Sequence, residues 1–161
     1  MGVDPSHPGS PAVIRCIEQD DPGYLKSGFA TMMQAFNAGR YRGHRLRLTA
    51  ELMTENVTGA GTIWMRVDAL PRATLRFDNM YKRSENGSLK GSVPWSAREI
   101  VLDVPDDART INFGFFQQGA GTTRARAFNL AEVGIDIPET MSPAIYPDEP
   151  VNLDFKRVPE D

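Results

Sequence analysis

A chain of 161 residues with 40% hydrophobic and 24% charged side chains has the composition of a globular protein with a sizeable core, and it is short for two domains. Its formal net charge of -3 supplies no global pull towards nucleic acid or an anionic membrane. One cysteine, Cys16, excludes an internal disulfide, and no apolar run approaches the ~20 residues of a bilayer span.

Residues 1–11 hold three prolines and two glycines and are expected to form an irregular lead-in. A candidate strand follows at 11–17 (PAVIRCI), with Cys16 as a small core hydrophobe, and then a polar loop containing Asp20, Asp21, Pro22 and Gly23. Residues 29–36 (FATMMQAF) have the composition of a helix. The segment is nevertheless short and sits between strands, so it is read as a strand, where a two-sheet fold needs a pair. Residues 45–53 alternate cleanly, with Leu46, Leu48, Ala50 and Leu52 on one face and Arg45, Arg47, Thr49 and Glu51 on the other.

A loop is predicted over 54–61, leading to IWMRVD (63–68), a turn at Pro71 and TLRFDNM (74–80). In that pair one face carries Ile63, Met65, Val67, Leu75 and Phe77. The other carries Trp64, Arg66, Asp68, Arg76 and Asp78. Residues 82–94, rich in Ser, Gly and Asn, are expected to be a long exposed loop ending at Trp95. Residues 99–104 are apolar on both faces and read as a central strand. Asp106-Asp107 makes a turn, 111–117 (INFGFFQ) alternates again, and Gly119-Ala120-Gly121 turns into a strand over 123–133. The stretch 138–150 has four prolines and is read as extended; 151–155 (VNLDF) could add a last edge strand, and 156–161 is a tail. Short strands at this spacing predict an all-β, antiparallel two-sheet β-sandwich, with residues 1–155 as one domain.

The ordered set YRGHRLRLTAEL, IWMRVD, LRFDNM, Trp95, IVLDVP and INFGFFQQGAG resembles the carbohydrate-binding-module or galactose-binding jelly-roll domains. Such domains occur in the ligand-side portions of some bacterial AraC-class transcription regulators and in small stand-alone bacterial proteins. The resemblance spans nearly the whole chain, from about Val3 to Phe155. It implies a jelly-roll whose concave face or rim loops meet a ligand, without naming that ligand. Three departures stand out. Arg124 and Arg126-Ala127 take the places where relatives tend to carry Trp and an acidic pair. An arginine there would repel a structural calcium, which needs several oxygen ligands. The loop before Trp95 is longer than in the pattern, and no DNA-binding helix pair is legible.

The period-two register places Arg47, Trp64, Arg66, Asp68, Arg76, Asp78, Phe116 and Arg124 on faces away from the core, and these are the candidate ligand-binding residues. The same surface is also explained by cross-strand ion pairs in a solvated sheet. Trp64 is expected to touch ligand, whereas Trp95 is expected to cap the core edge. His7 and His44 are too scattered for a zinc site, and no P-loop, nucleophile elbow or Cys/His dyad occurs. No metal or other cofactor is expected.

The resulting expectation is a cytoplasmic domain that binds a small molecule or glycan, with no nucleic-acid or membrane partner and with homodimerisation open. Its alternative is a cofactor-free cyclase or isomerase with Asp68 or Asp78 as general acid, the two carboxylates having their pKa values pushed apart. A third reading is an interaction subunit pairing through residues 151–155.

Overall fold

The computed structural model describes residues 1–16, 29–69 and 73–140. The expected loop before Phe29, the turn at Pro71 and the last edge strand at 151–155 fall outside the described residues. Those residues form an all-β, antiparallel sandwich whose strands are β1 (Gly2–Val3), β2 (Ala12–Cys16), β3 (Phe29–Asn37), β4 (Arg45–Ala69), β5 (Ala73–Asp78), β6 (Leu89–Asp103), β7 (Thr110–Gln118) and β8 (Gly121–Val133). The helical content among them is a single 3-10 turn at Gly39–Tyr41. The segment 29–36 is therefore a strand, as its position demanded, in spite of its helix-forming residues.

Strand β4 runs for 25 residues and organises everything else. Its first half, residues 45–55, lies between β6 and β8, and the sheet continues from β8 through β2 to β1. Its second half, residues 60–69, lies between β5 and β7, and this sheet ends at β3. One strand thus belongs to both layers. The expected loop at 54–61 is the bend between them: Asn56 takes φ +51°, the register with β6 shifts twice, and Val57 and Ala60 are buried. Polar composition and two glycines made this stretch look like a loop. The glycine at 59 is required by packing, since a methyl there would lie 2.5 Å from the Gln118 carbonyl oxygen.

Between the layers pack Leu46, Leu48, Leu52, Ile63, Met65, Val67, Ile100, Leu102, Ile111 and Phe115, each no more than 2% exposed. This is the face that alternation assigns to β4. Two further expectations are corrected. The lead-in is not wholly irregular, because Gly2 and Val3 pair with Val13 and Ala12. The predicted 82–94 loop is half strand: β6 begins at Leu89, which is buried, and carries Gly91 at φ +77° and Pro94 on a strand whose one partner strand among the described residues is β4. An outer strand tolerates a proline that a central one would reject.

Two ion pairs fasten the first layer. Arg124, 3% exposed, donates from Nε to Asp4 Oδ2 at 2.7 Å and holds the lead-in over the outer face of β8. Arg45 grips Asp103 through Nε and a terminal nitrogen, at 2.6 and 2.9 Å. The Ser6 hydroxyl and then Arg124 hold the Asp4 carboxyl well below the usual carboxylate range, and the Arg45 fork lowers that of Asp103. Folded pKa values below the unfolded reference of ~3.9 mean that the unfolded chain binds more protons in the acid range. The stabilisation is then fully present above that reference and is lost as pH falls through the folded values. The urea midpoint is expected to drop steeply below about pH 4, and Asp103→Asn to lower the midpoint at pH 7 while flattening that acid limb. Equal acid slopes in the two proteins would remove Asp103 from the account.

Candidate functional site

On the second layer the odd-numbered residues of β4 enter the core, so Trp64, Arg66 and Asp68 face outward. The register then builds rows across the sheet. Thr31, Phe116 and Thr62 are opposite one another; so are Met33, Gly114 and Trp64, and next Ala35, Asn112, Arg66 and Phe77. Neighbouring strands lie about 4.8 Å apart, so β3 and β4 are separated by the full width of β7. Yet the Trp64 indole Nε1 donates to Thr31 Oγ1 at 3.0 Å. The ring must therefore cross β7, and it does so at the one position in its row without a side chain, Gly114. That glycine also has no room for a methyl, which would lie 2.0 Å from the Met32 carbonyl oxygen. The Thr31 hydroxyl in turn donates to the Phe115 carbonyl oxygen at 3.1 Å, fixing the arrangement.

The indole, 7% exposed, forms the floor of an open trough of about 450 Å³. Phe116 and Thr31 extend the floor. Phe29 and Met33 stand on the β3 side, Phe77 and Tyr81 on the β5 side, and Arg66, Asn79 and Gln118 add polar groups. Four of the large hydrophobic side chains exposed in this protein (Phe29, Met33, Phe77 and Tyr81) gather here, at the rim of one depression. Phe29 and Phe116 meet edge to face with centroids 6.0 Å apart.

Asp68 stands behind Arg66 rather than in the trough. Its Oδ2 accepts from Arg66 Nε and from Asn112 Nδ2, each at 2.9 Å, and its Oδ1 accepts from Thr74 Oγ1 at 3.1 Å. Both carboxylate oxygens are occupied, and their effect is to orient the guanidinium. Among the described residues, nothing accepts from the two terminal nitrogens of Arg66.

Of the eight candidate residues, the fold brings Trp64, Arg66 and Phe116 together, with Asp68 in support. The other four lie elsewhere. Arg47 is on the first layer, 3.7 Å from Glu99, and Arg124 is buried there beneath the lead-in. The face assignment of β5 is corrected. Asp78 is opposite Met65 and Arg76 opposite Val67, whereas Phe77 is opposite Arg66 and faces the trough. A register shift between Val67 and Asp68 adds a residue to β5 and reverses the parity that Leu75 and Phe77 had suggested. Asp78, 8% exposed, accepts from the Met80 amide, the Thr140 hydroxyl and Arg83, which makes it a clamp.

Trp95 is also remote from the trough, with Arg126 stacked 4.0 Å above its ring on the first layer. Sequence reading missed Phe29, Thr31, Met33, Phe77, Asn79, Tyr81 and Gln118. Alternation within β3 could have found the first three. Among the described residues no three His, Cys, Asp or Glu side chains converge as metal ligands, and no helix is long and apolar enough to cross a membrane.

Fold and surface together define a two-layer β-sandwich with an aromatic trough on the outer face of one layer. No family model matches the chain. It is similar to the uncharacterized HTH-type transcriptional regulator YbfP of Bacillus subtilis (strain 168), at 41% identity over 143 residues. The match takes in 83% of this chain and 47% of the regulator, so the chain spans about half the length of that relative. Among solved structures it is similar to the enzymatically active domain of tailspike protein 4 of bacteriophage CBA120, with a TM-score of 0.50 and 11% identity over 76% of this chain and 17% of that one. A family 16 carbohydrate-binding module aligns with a TM-score of 0.48 and 12% identity, over 67% of this chain and 73% of that one. At such identities the likeness to the tailspike domain is one of fold alone.

Proposed function

We propose that this domain binds a ring-bearing small molecule or glycan in the trough, as the ligand-sensing part of a transcription regulator. The observation that carries the reading is the Trp64 indole reaching across β7 to Thr31 in the lining of the trough, with aromatic side chains around it and Arg66 held ready by Asp68. A flat apolar floor receives a sugar or aromatic ring by its face, and a few fixed polar groups then set its orientation. The trough volume of about 450 Å³ lies within the ~300–1,000 Å³ of small-molecule sites. The 41% identity with a regulator about twice as long supports the regulatory setting. The described residues here include no helix pair, so the helix-turn-helix of such a protein would belong to the half that this chain does not match. The cyclase alternative finds no support. Asp68 already has a partner on each oxygen, and Asp78 faces the other way.

The double variant Phe77→Ala/Tyr81→Ala tests the reading. Both side chains are more than 40% exposed, so stability is expected to change by less than about 1 kcal/mol. Affinity for any ligand found by a thermal-shift screen of sugars and aromatic metabolites is expected to fall by about ten- to a hundredfold. Undiminished affinity in a folded double variant would place binding elsewhere.

A further inference from the structure

We infer that the trough selects a ring carrying a carboxylate, whether the uronic acid of a glycan or an aromatic acid. The inference rests on the ring-binding reading above and adds a charge to it. Of the described residues lining the trough, Arg66 is the one that carries a charge, and none is acidic. Its Nε is tied to Asp68, which fixes the plane of the guanidinium, and its terminal nitrogens are left for a ligand. The side chain is 40% exposed, so a ligand can reach it and would shield it from water on binding.

Two parallel N–H bonds to a carboxylate are the pairing that a fixed guanidinium offers, and charge-assisted bonds are roughly twice as strong as neutral ones. Arg66 shares a row with Phe77, and Trp64 lies in the next row. An acid group on Arg66 would therefore lie along the sheet from a ring resting on the indole, within the same trough. Asn79, whose Oδ1 accepts from the Tyr81 amide, keeps its Nδ2 for a ring hydroxyl. A neutral sugar would leave the fixed arginine to water.

Matched pairs decide the matter: glucuronate against glucose, and indole-3-acetate against indole-3-acetamide. Affinities would be read from the intrinsic fluorescence of Trp64 in a Trp95→Phe background. In at least one pair the acid is expected to bind about tenfold or more tightly than its neutral partner. Arg66→Gln is expected to erase that preference, the acid losing more affinity than its neutral partner, and Arg66→Lys to restore part of it. Preference within the first pair only assigns a uronic acid; within the second only, an aromatic acid.

Equal binding of acid and neutral partner, weakened alike by Phe77→Ala/Tyr81→Ala, would overturn the charge selection and leave ring binding standing. An acid preference that survives Arg66→Gln would overturn the role of Arg66. Failure of all four probes to bind overturns the inference for both sources.

Discussion

Trp64→Ala is expected to lower the stability of this protein by about 3–5 kcal/mol, the cost of removing a large buried aromatic side chain, and to abolish binding at the trough. The two losses have one origin. Trp64 is 7% exposed because its indole crosses β7 to reach Thr31, so it covers the sheet and lines the trough at once. Removing it uncovers Gly114, which has no side chain of its own to fill the space between Met33 and position 64. With about 5–15 kcal/mol of total stability to draw on, the variant would sit near the edge of folding. Trp64→Phe separates the contributions. It keeps a ring over Gly114 and loses the Nε1–Thr31 bond, for an expected cost of about 1 kcal/mol. Urea denaturation followed by far-UV circular dichroism measures both variants without relying on tryptophan. A cost below about 1 kcal/mol for Trp64→Ala would mean that the indole stands free of the sheet.

How much of this was legible in the sequence depends on what alternation can and cannot say. The inward and outward faces of β4 and β7 follow directly from residues such as Ile63, Trp64, Met65 and Arg66, because a two-residue period leaves no freedom. Alternation does not say which layer a strand belongs to. Arg47 and Trp64 share one strand and one outward parity, yet the bend at Asn56 sends them to different layers. Arg124 obeys its predicted parity and is buried nonetheless, because the lead-in folds over it.

Beyond that limit, one residue was enough to spoil the reading of β5. The register shift beside Asp68 put Phe77 in the trough and Asp78 beneath the sheet, the reverse of the expectation. The β3 side of the trough was obscured for a different reason. Ala30, Met32, Met33, Gln34 and Ala35 are helix formers, and only pairing with β7 along the whole of Phe29–Asn37 makes them a strand.

The reversal at Asp78 leads to the second large effect. Asp78→Ala is expected to destabilise the fold by about 3–5 kcal/mol, because it breaks a nearly buried ion pair by removing one partner and leaves the other uncompensated. The carboxylate ties together two pieces of chain, the turn at 79–83 and the segment after β8. Its Oδ1 accepts from the Met80 amide at 2.8 Å, and its Oδ2 accepts from Thr140 Oγ1 at 2.8 Å and from the Arg83 guanidinium. Met80 is buried at φ +59°, a conformation that a side-chain-bearing residue adopts only when its surroundings impose it, and the bond from Asp78 is one of the impositions. Thr140 in turn exchanges bonds with the backbone of Val101 on β6, at 2.8 and 2.9 Å. Removing the carboxylate should therefore loosen the turn at 79–83, the outer edge of β6 and the segment after β8 together, and the amides of Met80, Val101 and Thr140 should exchange with solvent faster as a group.

Asn79 and Tyr81 line the trough immediately after this clamp, so the binding proposed there should weaken as well, although Asp78 is not among the residues lining it. Asp78→Asn keeps the shape and an acceptor for Met80 but loses the charge facing Arg83, and it should fall between wild type and alanine. A general acid would behave otherwise, with stability held or raised on its removal and only turnover lost. An Asp78→Ala protein with an unchanged denaturation midpoint would refute the clamp and return Asp78 to the list of residues free to do chemistry.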